Sequence, residues 1–473
     1  MIVGQRRTTN NSSMSVTYET AVARMYALGH ELATTPSHKF DLAHMRVLLR
    51  ALENPERKFS SVLIAGTNGK GSTAATLASI LQVSGLRTGL YTSPHLVRIN
   101  ERIRINGEEI SDHKFALLHD LVERTAERLV EDRELPWHPS FFEMLTAMAF
   151  EHLATSKVEV AVLEVGMGGR LDATNVVEPR VSVITDISLD HQKFLGNTVA
   201  EIAREKAGII HPGGVVVTLP QSSAANDVIG RVVLEQDANA ISAVPYVPPL
   251  TPAAPDLMTR NSSALQGAEQ RILASYPLEV MGRQIVVRTP LVGRHQLRNI
   301  ALSIGAAVEL GEQGFPVTPE SIEKGICETW WPGRFQVRPG DSVEPEVVLD
   351  VAHNPAGAWA LRSTLSAYYE NRRLIFVFGA LRDKAIAEIS EILFPIAERI
   401  IVCRAENPRS ASAEEIRDAA SRTQAEIELG TDVSSALKRA REIAGRDGVL
   451  VVTGSIYVVG EAMRALGVSV DAK

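Results

Sequence analysis

The stretch LIAGTNGKGSTAATLASIL, residues 63–81, places glycines, a lysine and hydroxyls where a strand-like run gives way to helical spacing. Such a turn can aim several backbone N–H groups at one anion, and the following helix adds the partial positive charge of its N-terminus. Gly66, Gly69 and Gly71 allow close backbone approach, Lys70 can reach phosphate oxygens, and Ser72 offers a hydroxyl to phosphate or Mg2+. The spacing departs from G-x-x-x-x-G-K-[ST], because two residues separate Gly66 from Gly69 and Gly71 stands between Lys70 and Ser72. A turn using glycine for geometry alone leaves Lys70 and the hydroxyls of Ser72 and Thr73 unexplained. Asn68–Ser72 therefore reads as a variant nucleotide-phosphate loop.

Other reactive side chains fall where apolar runs end. Glu164 lies in VEVAVLEVG (158–166), His191 follows RVSVITDIS (180–188), and Ser93 follows the short run before SPH. In open parallel sheets, ligand crevices form at the carboxyl ends of strands, so a hydroxyl, a carboxylate and an imidazole meet one sheet edge beside the phosphate loop. On residue type alone, Glu164 reads equally as a surface carboxylate, His191 as a solvated histidine and Lys206 as a solvated helix lysine. DVAHNP (350–355) reads as a strand-to-helix turn, and one of Phe141 and Phe142 as core.

The elements that must hold these residues alternate. A helix is expected from about Ser72 to Ser84, closed by Gly85, and a hairpin in ERIRINGEEIS with Asn106-Gly107 at its turn. Ser111 caps a helix to about Val130, FFEMLTAMAFEHLA (141–154) is another, and Thr198 with Glu201 forms a capping box ahead of VAEIAREKAGI. Residues 221–275, with VPYVPPLTPAAPD, break the rhythm and read as a proline-rich surface insertion. RHQLRNIALSIGAAVEL (294–310) is a helix, and after WWPGR (330–334) strands and helices alternate to the end. The fold class expected is α/β. A flexible leader (1–20) precedes a P-loop parallel-sheet ATPase domain (21–330), and a smaller Rossmann-like domain follows (331–473).

Composition sets the bounds. A chain of 473 residues has length for two domains, and 45% hydrophobic with 22% charged residues is ordinary for a globular protein. A net charge of −7, both signs mixed, argues against nucleic acid as a partner. Cys327 and Cys403 are the only cysteines, too few for a disulfide framework or a cysteine-rich zinc site, which fits a reducing cytoplasm. The opening MIVGQRRTTNNSSMSV has no signal-like apolar stretch, and no uninterrupted run has membrane-spanning length, so no membrane association is expected.

GTNGKGS (66–72), YTSPHL (91–96), FFEMLTAMAF (141–150), LEVGMGGRLDATN (163–175), DISLDHQKFLGNT (186–198), EKAGI (205–209) and DVAHNP (350–355) occur in one order. Together they resemble the folylpolyglutamate synthase/dihydrofolate synthase family, a branch of the Mur-type ATP-dependent amide ligases, over roughly residues 38–460. The resemblance implies that ATP phosphorylates a carboxylate and that the amine of L-glutamate attacks the acyl phosphate. The acceptors implied are dihydropteroate and tetrahydrofolates, in a monomeric enzyme.

The resemblance also implies roles. Ser93, Glu164 and His191 become Mg2+ ligands, with Ser72 near the nucleotide and two ions in all; a monovalent cation such as K+ is admitted. Imidazole is an unusual Mg2+ partner, since that ion prefers oxygen. Lys206 becomes a carbamate, formed when CO2 adds to the neutral amine, which burial and nearby cations would favour. Asn299, Arg334 and Asp350 join Asn68, Gly69, Lys70, Gly71 and Ser72 around ATP. Arg334 faces the γ-phosphate and Asp350 the ribose, while His353 assembles the acceptor side. Lys70, Lys206 and His353 form the catalytic set. The pteroate pocket is Phe40–Leu42 with Asp41 between them, Ser140–Glu143 including Phe141 and Phe142, and Leu171–Ala173, with Asp172 accepting from the pterin amine.

Three alternatives stay open: a folylpolyglutamate synthase without dihydrofolate synthase activity, another Mur-type amino-acid ligase, and a nucleotide-dependent switch without chemistry. Cell-wall Mur ligases usually carry an extra N-terminal domain, and the stretch ahead of Gly66 is short for one. A switch would need neither the ligand set nor Arg334 and Asp350.

Overall fold

The apolar runs become strands because both of their faces are covered. In β1 (Ser60–Ala65), Leu63 and Ala65 join one hydrophobic cluster, and Val62 and Ile64 join another. Side chains alternate across a strand, so a run buried on both sides must be apolar throughout. Each buried Val, Leu or Ile among them contributes about 1.5–3 kcal/mol. The computed structural model describes residues 16–29, 41–249, 258–260 and 272–469.

β1 is joined by β2 (Thr88–Tyr91), β3 (Ile103–Ile105), β4 (Glu108–Glu109), β5 (Val160–Glu164), β6 (Val181–Ile184), β7 (Val215–Thr218) and β8 (Asn239–Ser242). Their order is β4-β3-β2-β5-β1-β6-β7-β8. Pairing is parallel from β2 to β8, and only β3 and β4 run antiparallel to their neighbours. Asn106 (φ 50°) and Gly107 (φ 81°) make the expected left-handed turn between β3 and β4.

Helices cover both faces. On one lie α1 (Tyr18–Ala27) and α2 (Leu42–Ala51); on the other lies α3 (Lys70–Val83). α4 (Asp112–Glu131) and α5 (Phe141–Thr155) extend the first layer, and α6 (Gln192–Leu195) is a single turn after β6. α7 (Val199–Ala207) and α8 (Ser223–Glu235) complete that layer, and α9 (Arg294–Glu312) and α10 (Pro319–Glu328) complete the other. A three-stranded antiparallel sheet, β9 (Met258–Arg260), β10 (Ile272–Val280) and β11 (Arg283–Thr289), adds Tyr276, Ile285 and Val287 to the α3 side.

The second sheet contains β12 (Gln336–Arg338), β13 (Glu346–Leu349), β14 (Leu374–Phe378), β15 (Arg399–Val402), β16 (Ile427–Leu429) and β17 (Val449–Thr453), ordered β12-β13-β17-β14-β15-β16. It is parallel apart from β12. α11 (Pro355–Tyr369), α12 (Ile386–Leu393) and α13 (Ala413–Ala419) cover one face; α14 (Val433–Ala444) and α15 (Ile456–Leu466) cover the other.

Three expectations are corrected. Residues 221–275 are not one insertion: α8 buries Ala225, Val228, Ile229 and Val232, and β8 extends the first sheet. Pro245, Pro248 and Pro249 follow β8, and residues 250–257 and 261–271 lie outside the described residues. The leader does not reach residue 20, since Thr17 caps α1, whose Ala21 and Met25 are buried; its first 15 residues are outside the described range. α3 begins at Lys70 rather than Ser72, because Gly69 already takes the cap position at φ 90°.

Candidate active site

The carboxyl ends of the first sheet and the facing edge of the second enclose a cavity of about 640 Å3. Among the described residues, every site candidate from the sequence lines it. Phe40 is outside the described residues.

The phosphate loop is held from three sides. Thr67 and Asn68 donate backbone N–H groups to the Asp186 carbonyl at 2.8 and 3.2 Å. Lys70 folds back, its Nζ donating to the carbonyls of Gly66 (3.2 Å) and Thr67 (3.4 Å). A Cβ on Gly69 would sit 2.1 Å from Asn299 Oδ1, and one on Gly71 would sit 2.9 Å from the Trp331 ring. Asn299, on α9, is fixed by donating to Gln296 Oε1 at 2.8 Å. The two neighbouring hydroxyls separate: Ser72 lines the cavity, whereas Thr73 points to the Asn299 carbonyl. Gly69→Ala should therefore lower affinity for a non-hydrolysable ATP analogue by more than about tenfold, through the backbone and the Asn299 collision together. Calorimetric titration checks it, with unchanged far-UV circular dichroism as the folding control.

At the sheet edge Ser93, Glu164 and His191 line the cavity. Glu164 ends β5, is buried, and accepts from the Ser93 backbone N–H at 3.2 Å. His191 stands at φ 50° just before α6; burial, with Lys384 and Lys70 nearby, drives its pKa down to about 3 despite Asp190. A neutral ring keeps a lone pair for a ligand. Among the described residues no three His, Cys, Asp or Glu side chains are gathered into a ready-made metal cluster. Serine hydroxyls and phosphate oxygens would have to complete the shell, which suits a hard oxygen-seeking cation.

Lys206, on α7, is buried, and its Nζ donates to the Gly66 carbonyl at 2.7 Å. Burial, reinforced by Lys70, pulls its pKa down to about 7. The same carbonyl oxygen thus serves both lysines, tying α7 to the phosphate loop.

Sequence reasoning passed over one residue that helps to join the two domains. Asp190 precedes His191 and is held by the second domain: Lys384 Nζ donates to Oδ1 at 2.7 Å, Asn354 Nδ2 to Oδ2 at 3.4 Å, and His353 Nε2 lies 3.8 Å from Oδ2. Burial opposes its ionisation, but His353, His191 and Lys384 outweigh that and hold the carboxyl far below the usual range. Asn354 also donates to Asn68 Oδ1 at 2.9 Å, so this turn touches the phosphate loop directly. Adjacency to His191 within DISLDHQ was the available signal. His295, also missed, lines the cavity and is kept neutral by burial, with a pKa pushed down to about 4.

Arg334 and Asp350 face each other at the second domain's edge. Burial depresses the Arg334 pKa and raises that of Asp350. Asp350 accepts from the N–H groups of Phe335 (2.8 Å) and Ala352 (2.9 Å), so it also shapes the turn that carries it. His353 donates Nδ1–H to the Val351 carbonyl at 2.9 Å, which leaves Nε2 toward Asp190.

At the far end of the cavity the candidates are local caps as well as walls. Asp41 caps α2 by accepting from Ala43 N–H. Ser140 and Glu143 form the capping box of α5. Phe141 stacks on Tyr26, with centroids 5.9 Å apart, and Phe142 lies against Gly166, whose Cβ would be 2.6 Å from the ring. Asp172, between Leu171 and Ala173, accepts from Met167 N–H (2.9 Å) and Thr174 Oγ1 (2.6 Å), and burial raises its pKa.

Beneath this wall, buried His44 meets acceptors at both ring nitrogens: Glu143 Oε1 and the Trp137 carbonyl, each at 3.1 Å. Both nitrogens must donate, so the ring is an imidazolium. Burial works against this, but the carboxylate and the carbonyl prevail and raise the pKa above 6.5. A raised folded-state pKa stabilises fully below the unfolded value and loses that stabilisation as pH climbs through the folded one. Between about pH 6 and about pH 9, the wild-type urea midpoint should fall further than that of His44→Gln. Equal falls would remove the imidazolium.

A strap from Ser93 to Arg98 leaves the first sheet and rests on the second domain. Leu96 and Val97 pack with the cluster under α15, and their N–H groups donate to Glu101, both at 2.7 Å. A Cβ on Gly460 of α15 would fall 2.0 Å from the Leu96 carbonyl oxygen.

Comparison with known proteins places this geometry. The family description "Mur ligase middle domain" matches residues 140–307, and "Mur ligase, glutamate ligase domain" matches 333–456. The dihydrofolate synthase/folylpolyglutamate synthase of Bacillus subtilis is 35% identical over 427 residues, covering 90% of this chain and 94% of that protein. E. coli FolC in complex with DHPP and ADP superposes with a TM-score of 0.77 at 27% identity, covering 95% of this chain and 98% of that one. The bifunctional folylpolyglutamate synthase/dihydrofolate synthase of Yersinia pestis, complexed with AMPPNP and Mn ion, gives 0.76 at 28% identity, covering 95% and 98%.

Proposed function

This chain belongs to the folylpolyglutamate synthase/dihydrofolate synthase family of ATP-dependent Mur-type ligases, and from that premise we propose that it ligates L-glutamate to dihydropteroate and to tetrahydrofolates. The observation that carries the reading is one cavity, shared by two domains of a single chain, that holds the phosphate loop, the donor edge and an aromatic wall. The relatives' bound ADP, DHPP, AMPPNP and Mn ion support the same substrates and a divalent cation here.

A carboxylate is a poor electrophile because its charge is delocalised and oxide is a very poor leaving group. The acceptor carboxylate takes the γ-phosphoryl group of ATP and ADP is released. The glutamate amine then attacks the acyl carbon, phosphate leaves, and the nitrogen gives up its proton as the amide forms. Asn68–Ser72 cradle the phosphates with backbone N–H groups, while Lys70 and Arg334 face the charge that develops on the transferring group. Asn299 holds the loop, and Asp350 is placed to accept from ribose hydroxyls. Ser72, Ser93, Glu164 and His191 would hold Mg2+, which when bound neutralises phosphate charge. Lys206 joins that set as a carbamate; its burial and depressed pKa support this, since CO2 adds only to a neutral amine. His353 orders the acceptor side through Asp190.

The test supplies ATP, Mg2+ and L-glutamate with either dihydropteroate or tetrahydrofolate, and weighs the products. Each acceptor should gain one glutamyl residue, and a heavy-oxygen label in its carboxylate should appear in the released phosphate. Product from tetrahydrofolate alone would reduce the enzyme to a polyglutamylase. ATP hydrolysis indifferent to both substrates would overturn the reading.

A further inference from the structure

α6 spans the gap between the metal-type donors and the acceptor wall. His191 precedes its first residue, and Leu195 closes its last turn against Gly168, whose Cβ would lie 3.1 Å from Leu195 Cδ2. Gly168 belongs to the loop that continues into Leu171–Ala173. Lys193, halfway along, lines the cavity. The other cavity-lining cations away from the nucleotide corner are matched to carboxylates: Lys384 to Asp190, Arg409 to Asp383 and Arg170 to Glu205. Lys193 is exposed and, among the described residues, has no carboxylate partner; its Nζ lies 5.9 Å from the adjacent Phe194 ring.

We propose that Lys193 binds the α-carboxylate of the terminal glutamyl residue of a tailed acceptor, and so distinguishes a folate that already has a tail from one that has none. This rests on the folate-ligase reading above. A pteroate presents its reacting carboxylate at the donor edge and carries no second one. A folylglutamate reacts through its side-chain carboxylate, and its α-carboxylate follows about 5 Å behind along the chain. α6, with about 1.5 Å of rise per residue, covers a similar distance between His191 and Leu195. An unmatched ammonium at that point of the cavity wall complements the negative charge a tailed acceptor brings and a tailless one lacks.

The experiment measures KM and kcat of wild type, Lys193→Gln and Lys193→Arg with dihydropteroate and with tetrahydrofolate monoglutamate. Lys193→Gln should raise KM for the tailed acceptor about tenfold more than for dihydropteroate, and Lys193→Arg should restore most of the preference. Equal changes for both acceptors, or no change in either, overturn the proposal. So does a wild-type enzyme that uses dihydropteroate alone, since no tail is then ever held. Wild type inactive with both acceptors sinks the folate-ligase reading itself, which separates the two failures.

Discussion

Lys206→Ala should lower kcat for glutamate ligation by about 10^3-fold, with ATP-analogue affinity far less affected. The side chain lies buried behind the phosphate loop, where it reaches the Gly66 carbonyl but is not itself part of the nucleotide cradle. Its loss removes a potential anionic ligand from a site otherwise supplied with one buried carboxylate, Glu164, and a neutral imidazole. If the working group is a carbamate, acetate or propionate in the vacated space should return a measurable fraction of activity, and methylamine should not. Rescue by methylamine instead would assign the function to the ammonium. Near-normal activity in the alanine variant would remove Lys206 from the mechanism.

Asp190→Ala should cost about 3–5 kcal/mol of stability and reduce kcat/KM by at least about a hundredfold. The carboxylate neutralises Lys384, whose side chain is only 7% exposed, and removing it leaves a buried ammonium unmatched. It also releases Asn354 and His353, the second domain's contacts nearest the phosphate loop. Asp190→Asn keeps the shape and loses the charge, so it should recover the Asn354 contact but not the Lys384 pair. Thermal unfolding and steady-state kinetics on both variants check this. An alanine variant as stable and active as wild type would show that the domains are held together elsewhere.

Much of this arrangement was legible from residue type and order. The central strands β1, β5 and β6 announced themselves because full burial demands unbroken apolar runs, and the caps Ser111 and Thr198 marked helix starts by their hydrogen-bonding chemistry. The same reasoning stumbled where signals overlapped. VPYVPPLTPAAPD suggested an insertion, and that label spread backward over α8 and β8, which carry an ordinary amphipathic helix and a short edge strand. β10 and β11 were missed although β11 alternates buried and exposed residues and Met281-Gly282 supplies left-handed turn positions at φ 52° and 74°. Pro277 inside β10 disguised it.

The site divides in the same way. The phosphate loop is local in sequence, so its chemistry could be read directly. Glu164, His191 and Ser93 converge only because their strands are neighbours in a parallel sheet, which pattern could anticipate but not measure. For Asp190 adjacency to His191 was the one local hint, and its bridging role was out of reach: its partners Asn354 and Lys384 are 164 and 194 residues away. Ser140, Glu143 and Asp172 show a further limit, since each serves a backbone turn while lining the cavity, and residue type cannot separate those duties.

The bare face of Gly460 has a consequence for anyone recombining such enzymes. The strap carrying Ser93 lies on α15 with no space for even one methyl group between them. A chimera that takes its carboxyl-terminal half from a donor with a bulkier residue there would wedge the halves apart and drag a candidate ligand loop with them. Transplants should be chosen by that single position before any residue in the cavity is considered.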